Sequence, residues 1–189
     1  MEIRTKKDII QLIKNDQWMM EILKAVKAID LPEWWVCAGF VRSKIWDTLH
    51  GFEKRTPLAD IDVVYFDSKN TETSAEKEYE KHLQERIPNL PWSVKNQARM
   101  HAVNGFDPYE SAVDAISKFP ETVTALGVRL DEDNEVILTA PCGIEDAINM
   151  EVWPTRLFSE VNIHKQKYKM RIQSKNWQQT WPKVKINGL

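Results

Sequence analysis

The stretch Pro57-Leu58-Ala59-Asp60-Ile61-Asp62-Val63-Val64-Tyr65-Phe66 decides the reading of this chain. Residues two apart on a strand point to the same side, so Asp60 and Asp62 project together. Two carboxylates so placed suit one hard divalent cation such as Mg²⁺, which prefers carboxylate and phosphate oxygens. The neighbours are almost all apolar, the signature of an interior strand, where a carboxylate without a counter-charge is expensive. The plainer alternative is a pair at a strand end in water. Asp67 falls on the opposite face by parity and is left out of the pair.

Upstream, Trp34-Trp35-Val36-Cys37-Ala38-Gly39-Phe40-Val41-Arg42 reads as an apolar strand that breaks at Gly39. It continues into a run with Val41, Ile45 and Leu49 at helical spacing. Strand, glycine, helix N-terminus is an arrangement that binds phosphate. The glycine lets the backbone approach, and free amides with the helix dipole favour negative charge. Arg42, in the first turn, is placed for a forked contact to a phosphate. Alone, a glycine after a strand is usually only a turn; the Asp-x-Asp strand that follows strengthens the reading.

The order apolar strand, Gly39-Phe40, helix, Asp60-Ile61-Asp62 resembles the minimal nucleotidyltransferase core of the DNA polymerase β superfamily. More closely, Ala38-Gly39-Phe40-Val41-Arg42, Ile45-Trp46-Asp47 and Leu58 to Asp67 are similar to a bacterial family of nucleotidyltransferase-like proteins. The segments Asn96 to His101, Pro108-Tyr109, Phe119 to Thr122 and Ala140 to Gly143 share that likeness, which spans about residues 30–155. The resemblance implies that the turn at Gly39 and Phe40, with Arg42, meets a nucleoside triphosphate. It implies that Asp60 and Asp62 hold Mg²⁺ (or Mn²⁺) for in-line attack at the α-phosphorus.

Two features depart from the superfamily. Its turn usually carries Gly-Gly or Gly-Ser, and Phe40 removes the hydroxyl contact, leaving backbone amides. It also generally has a third carboxylate on a neighbouring strand, and the strand expected over Trp92 to Met100 has no acid. Alternation there puts Trp92, Val94, Asn96, Ala98 and Met100 on one face. Asn96 is then the nearest polar candidate, able to lend a carbonyl to a metal but not to act as a base. Glu121, opening an expected strand to Leu130, is the alternative third acid.

With 189 residues, 42% hydrophobic and 29% charged, the chain can bury a single core, so one domain over residues 1–189 is expected. Most of the eight Trp residues read as packing. The two cysteines, Cys37 and Cys142, fit no metal or disulfide pattern and point to a reduced, cytoplasmic protein. No apolar run approaches the ~20 residues of a membrane span, so no membrane partner is expected.

Along the chain, Thr5 with Asp8 reads as a helix start, followed by an apolar stripe from Ile9 to Ile29. A further helix carries Ala75, Tyr79, Leu83 and Ile87, Asp107-Pro108 reads as the start of one running to Ser117, and the strands Glu121 to Leu130 and Glu135 to Thr139 form a hairpin. The fold class expected is α+β with an α/β-like alternation: a minimal nucleotidyltransferase core with a mixed β-sheet, helices mainly on one face, and a preceding N-terminal helix.

The C-terminal segment, residues 155–189, carries eight basic residues and one acid, a net of +7 that leaves −9 for residues 1–154. It can grip a triphosphate or a nucleic acid, or serve as a solvated helix with Tyr168 and Ile172 packing one side. Trp177 and Trp181 read as closing a hydrophobic seam. The leading expectation is a metal-dependent transferase moving a nucleoside monophosphate from an NTP to an unspecified hydroxyl acceptor. The alternatives are a weak or inactive nucleotide- and metal-binding protein of the same fold, and a nucleic-acid-binding module working through the basic segment.

Overall fold

Thr5 starts the first helix with a reciprocal cap, its hydroxyl accepting from the Asp8 amide while the Asp8 carboxylate accepts from the Thr5 amide. The computed structural model describes residues 2–188. Helix α1 (Lys6–Lys14) ends at Asn15, and Asp16 caps a second helix, α2 (Gln17–Lys27), by accepting from the Met19 amide. The single apolar stripe expected from Ile9 to Ile29 is thus two helices, because the Asp16 side chain offers the backbone an alternative to continued helix.

Strand β1 (Trp35–Cys37) runs into α3 (Gly39–His50), followed by β2 (Ile61–Tyr65), α4 (Thr73–Arg86), β3 (Trp92–Asn96) and α5 (Gln97–Asn104). Next come α6 (Ala112–Ser117), β4 (Gly127–Leu130), β5 (Val136–Thr139), α7 (Glu145–Asn149) and β6 (Glu151–Val152). Helices α8 (Arg156–Glu160), α9 (Asn162–Lys175) and α10 (Trp177–Thr180) precede β7 (Lys185–Ile186). The main sheet has the order β3-β2-β1-β4-β5, with β2 and β3 parallel and the other pairs antiparallel. Strands β6 and β7 form a separate parallel pair.

Period-2 alternation divides the sheet. Ile61, Val63, Tyr65, Val36, Val94 and Val128 enter a large buried cluster with α1 and α2 that extends from Ile3 to Val184. Trp35, Cys37 and Val64, on the opposite face, join a smaller cluster with Ala112 and Ile116 of α6. Asp62 shares this second face with Val64. The sheet is mixed and covered mainly on one side, as expected.

Three boundaries differ from expectation. Strand β3 stops at Asn96, whose side-chain oxygen accepts from the Ala98 amide and caps α5, so Ala98 and Met100 are helical. The stretch from Glu121 is a 3₁₀ turn over Thr122–Thr124 rather than strand, because the Thr124 hydroxyl donates back to Glu121 and β4 begins only at Gly127. Helix α6 starts after its cap Ser111, not at Pro108. Among the described residues, no helix is long and apolar enough to cross a membrane.

Candidate functional site

The strand-to-helix turn carries backbone strain. Ala38 has φ 53° and ψ −115°, a conformation costly for a residue with a Cβ and one that clusters where backbone is shaped for a ligand. Its carbonyl accepts from the amides of Val41 and Arg42, which starts α3 abruptly at Gly39. A Cβ placed on Gly39 would meet Arg42 Nη2 at 3.6 Å and Leu58 Cδ2 at 3.9 Å, ordinary contacts, so the turn tolerates a methyl group sterically. What a side chain there would take is cleft space, since Gly39, Arg42 and Leu58 all line one cavity of about 490 Å³.

Asp60 and Asp62 line the same cavity. Asp62 sits mid-sheet, paired with Cys37 on one side and Ser93 on the other. Burial, reinforced by the Asp60 charge, pushes its carboxyl up to about 6, against the pull of Arg171, Lys175 and the Ser93 hydroxyl. Among the described residues, neither aspartate has a cation within ion-pairing distance. Beside Asp62 on β1 the Cys37 thiol is buried, and desolvation with the Asp62 charge holds it well above its usual range.

Arg42 is only 8% exposed. Its guanidinium carbon lies 4.5 Å from the ring centre of Trp177, 5.1 Å from Trp46 and 5.6 Å from Trp181. Nη2 donates to Ser43 Oγ at 3.3 Å, and Nε has no partner. Desolvation pushes the group down to about 10, which leaves it charged at neutral pH. The residue expected to reach freely for phosphate is thus boxed by three indoles at the cleft wall. Phe40 turns its ring away into the core against Trp18, centroids 5.9 Å apart, so its backbone alone faces the turn.

The two candidates for a third site residue do not join the aspartates. Asn96 is fully buried with both polar atoms committed: Oδ1 accepts from Asp67 and Ala98, and Nδ2 donates to the carbonyls of Asp67 and Asn70. The parallel register pairs Asp62 with Ser93 and Tyr65 with Asn96, which puts Ser93 and Lys95 on the aspartate face and Asn96 on the other. Glu121 is 0% exposed, accepting from Arg171 Nε at 2.6 Å and from Thr124 Oγ1 at 2.9 Å. Among the described residues, no group of three or more acids, histidines or cysteines is gathered to hold a metal.

The cleft gains residues that local sequence reading did not assign. Arg171 and Lys175 of α9, with Trp177, Thr180 and Trp181, line the same cavity as the aspartates. The seam is fastened by Asp47, which accepts from Trp181 Nε1 at 2.8 Å and from the amide and hydroxyl of Thr56. Asp47 therefore ties α3, the loop leading to Asp60 and the C-terminal segment together. The i,i+4 spacing of Arg171 and Lys175 was a visible signal. That this face would share a cavity with Asp60 and Asp62 was not.

A family profile described as nucleotidyltransferase matches residues 24–186. A solved structure described as revealing a CCA-adding enzyme head domain is 34% identical and covers 98% of this chain and 97% of its own, with a TM-score of 0.88. A CCA-adding enzyme in complex with CTP (14% identity, TM-score 0.58) and a tRNA-processing enzyme in an apo form (15%, 0.52) share the fold. Each matches 99% of this chain, which spans 44% and 46% of theirs. No protein of curated function matches the sequence.

Proposed function

Because this chain belongs to the nucleotidyltransferase family, we propose that its cleft transfers a nucleoside monophosphate from an NTP to a hydroxyl acceptor, with Asp60 and Asp62 at the reacting end. The observation that carries the reading is that both carboxylates line one cleft with the strained Ala38 turn and the N-terminus of α3. The donor set is chemically suited to a hard cation: two carboxylates lining one cleft, unpaired by any cation among the described residues, with a hydroxyl at Ser93 alongside Asp62. Mg²⁺ or Mn²⁺ held there supplies neutralisation of the charge that builds on the transferred phosphate and its leaving group.

The protein's own contribution is placement. The Gly39 and Phe40 amides at the start of α3, with the helix dipole, receive phosphate oxygens, the Val41 and Arg42 amides being held by the Ala38 carbonyl, and the missing side chain of Gly39 keeps that approach open. The acceptor oxygen bonds to the α-phosphorus as the bond to the bridging oxygen breaks, and pyrophosphate leaves with that electron pair. No third acid stands with the pair among the described residues, so the acceptor proton passes to water, without the about 10²- to 10⁴-fold help of a positioned base. That feature favours slow turnover. The buried cluster running from Ile3 to Val184 supports a single domain. The free thiols Cys37 and Cys142 support a reducing, cytoplasmic setting.

A screen of the four labelled NTPs with Mg²⁺ or Mn²⁺ tests this reading. At least one NTP should raise the melting temperature in a metal-dependent way and release pyrophosphate. Stabilisation without pyrophosphate release would assign the cleft to binding alone, and no response to any NTP would overturn the proposal.

A further inference from the structure

We propose that Arg171 and Lys175 of α9 clamp the β- and γ-phosphates of the NTP and hold the departing pyrophosphate, with Glu121 as the positioning residue that aims Arg171. This assignment rests on the reading of the cleft as an NTP site. Four cations line that cleft: Arg42, Lys95, Arg171 and Lys175. Two are committed elsewhere. The Arg42 guanidinium is boxed by Trp46, Trp177 and Trp181. Lys95 Nζ bonds Glu80 at 3.2 Å and the Val94 carbonyl at 2.9 Å, and stands 3.7 Å from Glu76.

Arg171 and Lys175 differ from both. One helical turn apart, they share a face of α9. Arg171 spends only Nε on Glu121, at 2.6 Å, and its side chain remains 37% exposed. Its two terminal nitrogens make no hydrogen bond among the described residues, which leaves the forked end of the guanidinium open. Glu121 is itself locked, being fully buried with its second oxygen on the Thr124 hydroxyl. An arginine gripped at Nε by a fixed carboxylate has already lost much of its rotamer freedom, so less remains to be lost on meeting a phosphate. Lys175 is exposed and has no carboxylate partner among the described residues. Glu121, expected as a candidate metal ligand, is thereby assigned a different task, acting on the leaving group through Arg171.

The test uses the full chain, Mn²⁺ alone and inorganic pyrophosphate at saturating Mn²⁺, each titrated calorimetrically. Lys175→Ala alters an exposed residue, and Arg171→Lys keeps a cation beside Glu121 while removing the fork. Each should weaken pyrophosphate binding by about tenfold or more, the scale of one charge-assisted contact, and leave Mn²⁺ affinity within about twofold. Glu121→Gln should raise KM for the NTP more than it lowers kcat. Unchanged pyrophosphate affinity in both α9 variants overturns the clamp. Equal losses for pyrophosphate and a nucleoside monophosphate overturn it too, pointing instead to a contact with the nucleoside end. If Asp60→Asn/Asp62→Asn leaves Mn²⁺ binding intact while Lys175→Ala still loses pyrophosphate, the metal assignment fails and the clamp stands.

Discussion

Replacing Asp62 by Asn should stabilise the metal-free protein at neutral pH. Burial and the neighbouring Asp60 raise the Asp62 carboxyl from 3.8 to about 6. At about 1.4 kcal/mol for each pH unit, the two-unit rise corresponds to about 3 kcal/mol held against the folded state at pH 7.5. The sign follows from proton linkage. With its folded-state value above its unfolded one, Asp62 binds more protons when folded, so its contribution is intact below about pH 4 and is lost as pH rises through about 6. Asn keeps the shape and carries no charge, so the variant's advantage should be near zero at pH 4 and full by pH 7.5. For a chain of this size, about 3 kcal/mol is a melting shift of about 6–12 °C. Thermal and urea unfolding in EDTA at both pH values measure it. Saturating Mn²⁺ should then stabilise the wild type and not the variant, reversing or closing the gap. Equal differences at pH 4 and 7.5, or a variant less stable than wild type at pH 7.5, would refute the argument that Asp62 is held charged against its environment.

Gly39→Ala should keep near-native stability, since its Cβ meets Arg42 Nη2 and Leu58 Cδ2 at 3.6 and 3.9 Å, ordinary contacts. NTP binding should nevertheless fall at least tenfold in titration, because the side chain fills the approach to the α3 amides; unimpaired binding would move the phosphate away from the turn. Trp181→Phe removes the indole N–H that donates to Asp47 at 2.8 Å and should cost about 1–3 kcal/mol in urea unfolding. Because the same seam carries one wall of the cleft, NTP affinity in that variant should drop as well; full stability with full affinity would show that the seam is incidental.

The central geometry was legible because it follows from local periodicity. Asp62 lies on β2 with Asp60 just before its first residue, both line one cleft, and the break after Cys37 gives a helix whose first residue is Gly39. What was not legible depended on register and on distant contacts. Asn96 looked like a neighbour of the pair only while the register of β3 was unknown; pairing puts Ser93 opposite Asp62 and Asn96 on the other face, where its side chain caps α5. Nothing local in Phe119-Pro120-Glu121-Thr122 announces that Glu121 will be buried against Arg171, 50 residues further on. The fold-back of α9 and α10 depends on Trp181 meeting Asp47 and on Trp177 covering Arg42, contacts that a linear pattern does not encode.

The most direct test of the account is Mn²⁺ titration of the wild type and of Asp60→Asn/Asp62→Asn, with folding of both checked by circular dichroism. The account predicts saturable Mn²⁺ binding in the wild type, tightened by a non-hydrolysable NTP analogue, and none in the folded double variant. An unchanged Mn²⁺ isotherm in the double variant would contradict the placement of the reacting metal at these two aspartates.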